Sequence, residues 1–190
     1  DDMIRVMLVD DHAVVRMGFR MLLSTADIEV VAEADSGEQA CRDYPQLRPD
    51  VVVMDISMPG MGGLEALRRL LAHDAAVRVL MLSAHEATAY PQRVLKAGAL
   101  GYLSKRGAPE ALIDAVRTVA AGRRYVDAQL AQRLALAQIE GEASPSDVLT
   151  EREFAVFLQL AQGHSVAQIA ENLKLASSTV GTHLYNVKQK

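Results

Sequence analysis

Apolar and polar positions fall into two alternating patterns over the first two-thirds of the chain. Short continuous apolar runs rich in β-branched residues suit strands buried on both faces of a parallel sheet, and apolar residues three and four apart suit helices packed against it. Met3 to Val9 predicts a first strand, ended by Asp10 and Asp11. His12 to Ser24 then carries Val14, Val15, Phe19, Leu22 and Leu23 at helical spacing. Ile28 to Ala34 predicts a second strand, and Ser36 is placed to cap a helix running to Leu47. Val51 to Met54 predicts a third strand that stops at Asp55, where Met58-Pro59-Gly60-Met61-Gly62-Gly63 turns the chain out of the sheet. A helix over Leu64–Ala72, a strand over Arg78–Leu82 ending at Ser83, and a helix over Thr88–Ala97 stopped by Gly98 follow. Leu100 to Leu103 predicts a fifth strand ending at Ser104-Lys105, and Pro109 opens a helix that runs to about Ala121.

Five strands alternating with five helices imply right-handed crossovers and an α/β fold, a five-stranded doubly wound parallel sheet covered on both faces. The pattern changes after Gly122. Ala128 to Ile139 is rich in Ala, Leu and Gln and predicts a helix, with Leu130 and Leu134 on one face. Gly141 to Ser146 is polar and rich in breakers, as in a linker. From Leu149 onward the pattern is all-helical: Thr150 and Glu153 form a capping-box pair opening a helix to Gln162, Ser165 starts a short helix through Leu173, and Ser178 to Lys190 forms a third. Two short helices joined by a tight turn, the second exposing hydroxyls, amides and lysines, have helix-turn-helix geometry. The expected organisation is an α/β domain over 1–121, a linker with a helix over 122–147, and a small all-α domain over 148–190.

Composition narrows this little. Of 190 residues half are apolar and 23% charged, an ordinary globular balance, and no apolar run approaches the roughly 20 residues that span a bilayer. No membrane partner is expected. The single cysteine, Cys41, excludes an internal disulfide framework and fits a reducing compartment. A net charge of −4 argues against a uniformly basic nucleic-acid-binding coat. Opening at Asp1, without a methionine, suggests a processed or partial chain.

The candidate chemistry lies at the strand ends. Asp10, Asp11, Asp55, Ser83 and Lys105 all follow predicted strands, and open α/β sheets bind ligands at the carboxyl ends of their strands. Any one of these residues alone reads as a strand cap; together they read as a site. Three carboxylates there need a neutralising charge, which a hard divalent cation such as Mg²⁺ supplies through oxygen ligands. Lys105 adds a point charge for a phosphate and Ser83 a hydroxyl donor, and a carboxylate can itself accept a phosphoryl group.

Asp10-Asp11, Asp55 with Met58-Pro59-Gly60, Ser83-Ala84 and Gly101-Tyr102-Leu103-Ser104-Lys105 resemble the receiver domain of two-component response regulators, which has a flavodoxin-like sheet. Leu149-Thr150-Glu151-Arg152-Glu153, Ile169-Ala170 and Ser178-Thr179-Val180 resemble the LuxR-type helix-turn-helix. Together they resemble the bacterial NarL/FixJ subfamily over nearly the whole chain. The resemblance implies that Asp55 takes a phosphoryl group from a sensor histidine kinase, with Ser83 and Lys105 assisting. It implies Mg²⁺ held by Asp11, Asp55 and the Ser57 backbone carbonyl, with Asp10 acting mostly through water. Ser83 and Tyr102 match the switch pair, and Ser57 and His85 match positions that tune the lifetime of the acyl phosphate. Such a protein is cytoplasmic, is not an enzyme beyond its own phosphorylation and dephosphorylation, binds double-stranded DNA, and forms a homodimer when phosphorylated.

For DNA contact, Ser177, Ser178 and Thr179 suit phosphates at the amino end of the recognition helix, and Thr182, His183, Tyr185, Asn186 and Lys188 are groove- or backbone-facing candidates. Between 148 and 190, Arg152, Lys174, Lys188 and Lys190 stand against Glu151, Glu153 and Glu171, a net of +1 that is weak for phosphate neutralisation and points to binding as a dimer. Gly181 stands where the family usually has Lys or Arg, and the family continues one helix beyond the position of Lys190, so a shortened chain is expected. A phosphorylation-activated transcription regulator is the leading reading. The alternative is a phospho-switched interaction protein whose C-terminal domain does not bind DNA productively. A phosphatase-like enzyme built on Asp55 ranks third, since no second catalytic group is visible.

Overall fold

The structure, a computed structural model, describes residues 3–84, 91–140 and 149–190. His85, the start of the predicted fourth helix and the breaker-rich stretch 141–146 of the predicted linker lie outside the described residues. The chain divides into two compact units, Asp1–Gln132 and Arg133–Lys190.

In the first unit the strands are β1 (Ile4–Val9), β2 (Ile28–Ala34), β3 (Val51–Asp55), β4 (Val79–Ser83), β5 (Gly101–Ser104) and β6 (Tyr125–Val126), and the helices between them are α1 (Ala13–Leu23), α2 (Gly37–Leu47), α3 (Gly62–His73), α4 (Pro91–Lys96) and α5 (Pro109–Ala120). The sheet has the order β2-β1-β3-β4-β5-β6 and every pairing is parallel. It therefore holds six strands where the sequence pattern gave five. The addition, β6, is two residues long, lies inside the segment read as linker, and pairs Tyr125 and Val126 with Gly101 and Tyr102. The chain order reverses between β1 and β3, which makes the crevice above their carboxyl ends the natural ligand site of an open α/β sheet.

Register brings the strand ends level. Val9 pairs with Met54, Asp55 with Leu82, and Ser83 with Ser104. The outer pairing of β1 with β2 slips once: Val6 faces Val30 but Met7 faces Ala32, leaving one extra residue on β2. The core on one side of the sheet joins Val6, Leu8, Val51, Val53, Leu80 and Leu82 to Leu112, Val116 and Val119 of α5, all at most 3% exposed. α1 corrects one detail of the sequence reading. Leu23 is buried and Phe19 and Leu22 pack on the core, whereas Val14 is 80% exposed.

α6 (Ala128–Glu140) begins after Asp127, whose Oδ1 accepts from Leu130 N at 2.7 Å. The C-terminal helices are α7 (Glu151–Ala161), α8 (Val166–Leu173) and α9 (Ser177–Gln189). Both expected starts carry full capping boxes, Thr150 with Glu153 and Ser165 with Gln168. Val156, Ile169, Leu173 and Val180 form the small core, with Leu184 packed against it. Lys174, in the left-handed region at φ 54°, turns the chain between α8 and α9. Glu153 is 2% exposed despite its charge, and Lys190 Nζ lies 2.6 Å from its Oε1.

Candidate functional site

The level strand ends gather the carboxylates foreseen from the sequence. Asp10 and Asp11 follow β1 and Asp55 ends β3; together with His12 they offer ligand atoms that all lie within 4.8 Å of one another. Asp10 and Asp55 are each 2% exposed. Lys105, carried past β5 by the bond from its backbone N to Ser83 O, places Nζ 2.5 Å from Asp10 Oδ2 and 3.0 Å from Asp55 Oδ2. Asp55 Oδ1 accepts from Ser57 N at 3.1 Å, which ties the loop after β3 to the carboxylate.

The electrostatics follow from burial. Desolvation pushes the Asp55 carboxyl above the usual range, opposed by the charge and hydrogen bond of Lys105 and reinforced by the charge of Asp10. Burial alone would lower Lys105, but its bonds to Asp10 and Asp55 outweigh that and hold its ammonium above the usual value. Among the described residues Asp11 Oδ1 is buried and has no hydrogen-bond partner, although His12 Nδ1 stands 3.1 Å away. A buried carboxylate oxygen left in this state costs free energy unless another ligand satisfies it. An oxygen-rich donor set with one such atom fits a hard divalent cation.

The remaining candidates fall as follows. Ser83 and Tyr102 are both 4% exposed, so the tyrosine ring is buried in this structure. Ser57 is exposed beside Asp55. Two neighbours of the site went unnoticed in the sequence. His12 reaches both Asp10 and Asp11, at 3.3 and 3.1 Å, and its signal was simply its place after the Asp pair. Arg16, one helical turn further on, donates to Asp10 O, and its Nε lies 3.4 Å from Glu33 Oε1.

In the second unit Ser177, Ser178 and Thr179 are exposed at the amino end of α9, as are Thr182, Tyr185 and Lys188 along it. His183 and Asn186 are half-buried, and the Thr182 hydroxyl donates back to Ser178 O at 3.1 Å. Gly181 is exposed, with open space where a Cβ would stand.

A doubly wound sheet with paired carboxylates, a lysine and a hydroxyl at its strand ends, followed by a helix-turn-helix, defines a phosphorelay regulator. Residues 6–117 match the response regulator receiver domain, and residues 147–190 match the bacterial regulatory proteins of the luxR family. The chain belongs to the two-component response regulators, in their NarL/FixJ subfamily; members of this family are regulators and not classical enzymes. It is 44% identical to the response regulator UvrY of Escherichia coli K12, over 99% of this chain and 88% of UvrY. It is 42% identical to the response regulator GacA of Pseudomonas aeruginosa, over 99% of this chain and 89% of GacA. Among solved structures, a LuxR-family two-component response regulator from Aurantimonas sp. SI85-9A1 superimposes with a TM-score of 0.68 at 40% identity, covering 71% of this chain and 97% of that one. Among the described residues, no helix is long and apolar enough to cross a membrane.

Proposed function

We propose that Asp55 is the phosphoacceptor and that its phosphorylation by a sensor histidine kinase controls DNA binding by the C-terminal helices. The observation that carries this is the buried Asp55 carboxylate, bracketed by Lys105 Nζ on Oδ2 and Ser57 N on Oδ1. An Asp55 oxygen attacks the phosphorus of a phosphohistidine; the new O–P bond forms as the N–P bond breaks, and the electron pair leaves on the imidazole nitrogen. In this reading Lys105 and the Ser83 hydroxyl meet the phosphoryl oxygens, which the position of Lys105 Nζ beside Asp55 supports. Asp10, Asp11, Asp55 and the Ser57 backbone carbonyl would hold Mg²⁺, supported by the carboxylate cluster and the unsatisfied Asp11 oxygen. When bound, the ion neutralises charge that builds on the transferred group.

Ser83 and Tyr102 are the switch pair in this reading, and Ser57 and His85 tune how long the acyl phosphate lasts. The working domains are 1–121 for phosphoryl acceptance, 122–147 as connector and 148–190 for DNA, where Ser177, Ser178, Thr179, Thr182, His183, Tyr185, Asn186 and Lys188 contact the duplex. The phosphorylated protein acts as a homodimer in the cytoplasm, a reading supported by the family and by the weak positive charge of the C-terminal segment.

The test is phosphoryl uptake from a small phosphodonor with Mg²⁺, followed on the intact protein by mass. The parent chain gains one phosphoryl group and Asp55→Asn gains none; undiminished uptake by the variant overturns the assignment. Selection from random DNA with and without the donor then reads the output, and a two-fold-symmetric site enriched only after phosphorylation is expected.

A further inference from the structure

The loop from Ile56 to Gly63, which carries the chain from β3 into α3, closes on itself. Gly63 N donates to Ile56 O at 3.1 Å, and a Cβ on Gly63 would stand 2.3 Å from Asp55 O, so only glycine lets the two ends approach. Ile56, Met58 and Met61 plug it into the core at 5%, 3% and 4% exposure. The outer turn of this ring is gripped from another element. Glu38, in the first turn of α2, accepts from Met61 N through Oε1 at 2.7 Å. Gly60, at φ 80°, makes room for that carboxylate: a Cβ there would meet the same Oε1 at 2.6 Å. Gly37 interlocks from the α2 side, where a Cβ would meet Met61 Cγ at 2.9 Å and Gly62 O at 3.1 Å. The base of the grip is itself fixed, since Ser36 Oγ accepts from Gln39 N and Gln39 Oε1 accepts from Asp35 N.

We propose that Glu38 is a positioning residue for the phosphoryl site: by clasping Met61 N it holds the Ile56–Gly63 loop, and with it Ser57, whose N donates to Asp55 Oδ1, beside the carboxylate cluster. The inference rests on the reading of Asp55 and Ser57 given above. Glu38 touches neither the reacting atoms nor a metal. Its action runs through the loop, and what it supplies is an acceptor, a task that the amide oxygen of glutamine also performs, through a neutral and weaker hydrogen bond.

The experiment compares the parent chain with Glu38→Ala, Glu38→Gln and Gly60→Ala in three measurements: Mg²⁺ affinity by calorimetry, phosphoryl uptake from a small phosphodonor against Mg²⁺ concentration, and hydrogen exchange at the Met61 amide. Glu38→Ala and Gly60→Ala are expected to weaken Mg²⁺ binding roughly tenfold, the lower end of what residues orienting metal ligands contribute. Uptake should slow at low Mg²⁺ and recover at saturation, while Met61 exchange accelerates. Glu38→Gln should stay closer to the parent than to Glu38→Ala in all three. Unchanged Mg²⁺ affinity in Glu38→Ala, or a Gln variant as defective as Ala, overturns the proposal. A parent chain that neither binds Mg²⁺ nor takes up phosphate overturns the site reading and the positioning role with it, while Met61 exchange in the same samples still decides whether the clasp exists.

Discussion

Lys105 Nζ stands closer to Asp10 than to Asp55, at 2.5 Å against 3.0 Å. One ammonium thus serves two buried carboxylates and leans toward the one that is not the proposed acceptor. Asp55 is left partly compensated, and burial keeps its carboxyl above the usual 3.8.

The sign of the resulting pH dependence is fixed. A raised carboxyl holds its proton to higher pH, and a protonated Asp55 is no nucleophile. Carboxyl-carbon NMR on the metal-free chain should place the Asp55 midpoint above 3.8, and in Lys105→Ala it should move higher still, because the residue that opposes desolvation is gone. A variant midpoint at or below that of the parent contradicts the arrangement.

Metal addition should be visible as stability. A ligand at about 100 times its Kd stabilises the folded form by about 2.7 kcal/mol, so Mg²⁺ should raise the melting temperature of the N-terminal unit and chelator should reverse it. Asp11→Asn, which neutralises the buried unsatisfied oxygen, should lose most of that response. Calorimetric melting with and without the ion measures both.

Glu153 and Lys190 make the C-terminal unit acid-sensitive. The bond from Lys190 and that from the Thr150 backbone hold the Glu153 carboxyl down to about 2 from an ordinary 4.5. A depressed carboxyl contributes stability that is complete above 4.5 and is lost as pH falls toward 2. Lys190→Gln should melt earlier than the parent at neutral pH, and the two should converge below pH 2. Helix signals of α7 and α9 followed by NMR through the titration provide the check.

Gly181→Ala should stabilise the C-terminal unit. The position is exposed and helical, and none of the described residues lies within 4 Å of where the new Cβ would stand. The gain should be about 0.5–1 kcal/mol from the lost flexibility of glycine. Chemical denaturation followed through the signals of α9 measures it, and a loss of stability would mean that the helix backbone there is not as described.

Much of the candidate site was legible because β1, β3, β4 and β5 each give way to a polar residue at the end that bears the site. Val51 to Met54 is apolar without interruption and Asp55 is not, so strand, boundary and candidate acceptor come from one pattern. β6 was illegible for the opposite reason: two residues carry no period, and Tyr125–Val126 is a strand only because β5 leaves an edge beside it. Val14 fitted the helical spacing of α1 yet faces solvent, since spacing identifies a stripe and not its limits. Glu38 read as an ordinary acidic residue in a helix's first turn, and the Thr150–Glu153 cap gave no hint of Lys190. Both contacts join residues far apart in the chain, 23 and 37 positions, and local pattern does not reach that far.

The slip on β2 has a consequence for how this protein can change. A single-residue shift in β3 or β4 would lift a carboxylate or hydroxyl by about 3.3 Å and reverse every side chain along the strand, so those strands cannot gain or lose a residue and keep the site. β2 already carries its extra residue opposite the Val6–Met7 step, on the outermost pairing, and β1 still meets β3 in unbroken register. Length variation among descendants of this chain should therefore collect on that flank of the sheet and in the surface turns, while the inner strands keep a fixed residue count.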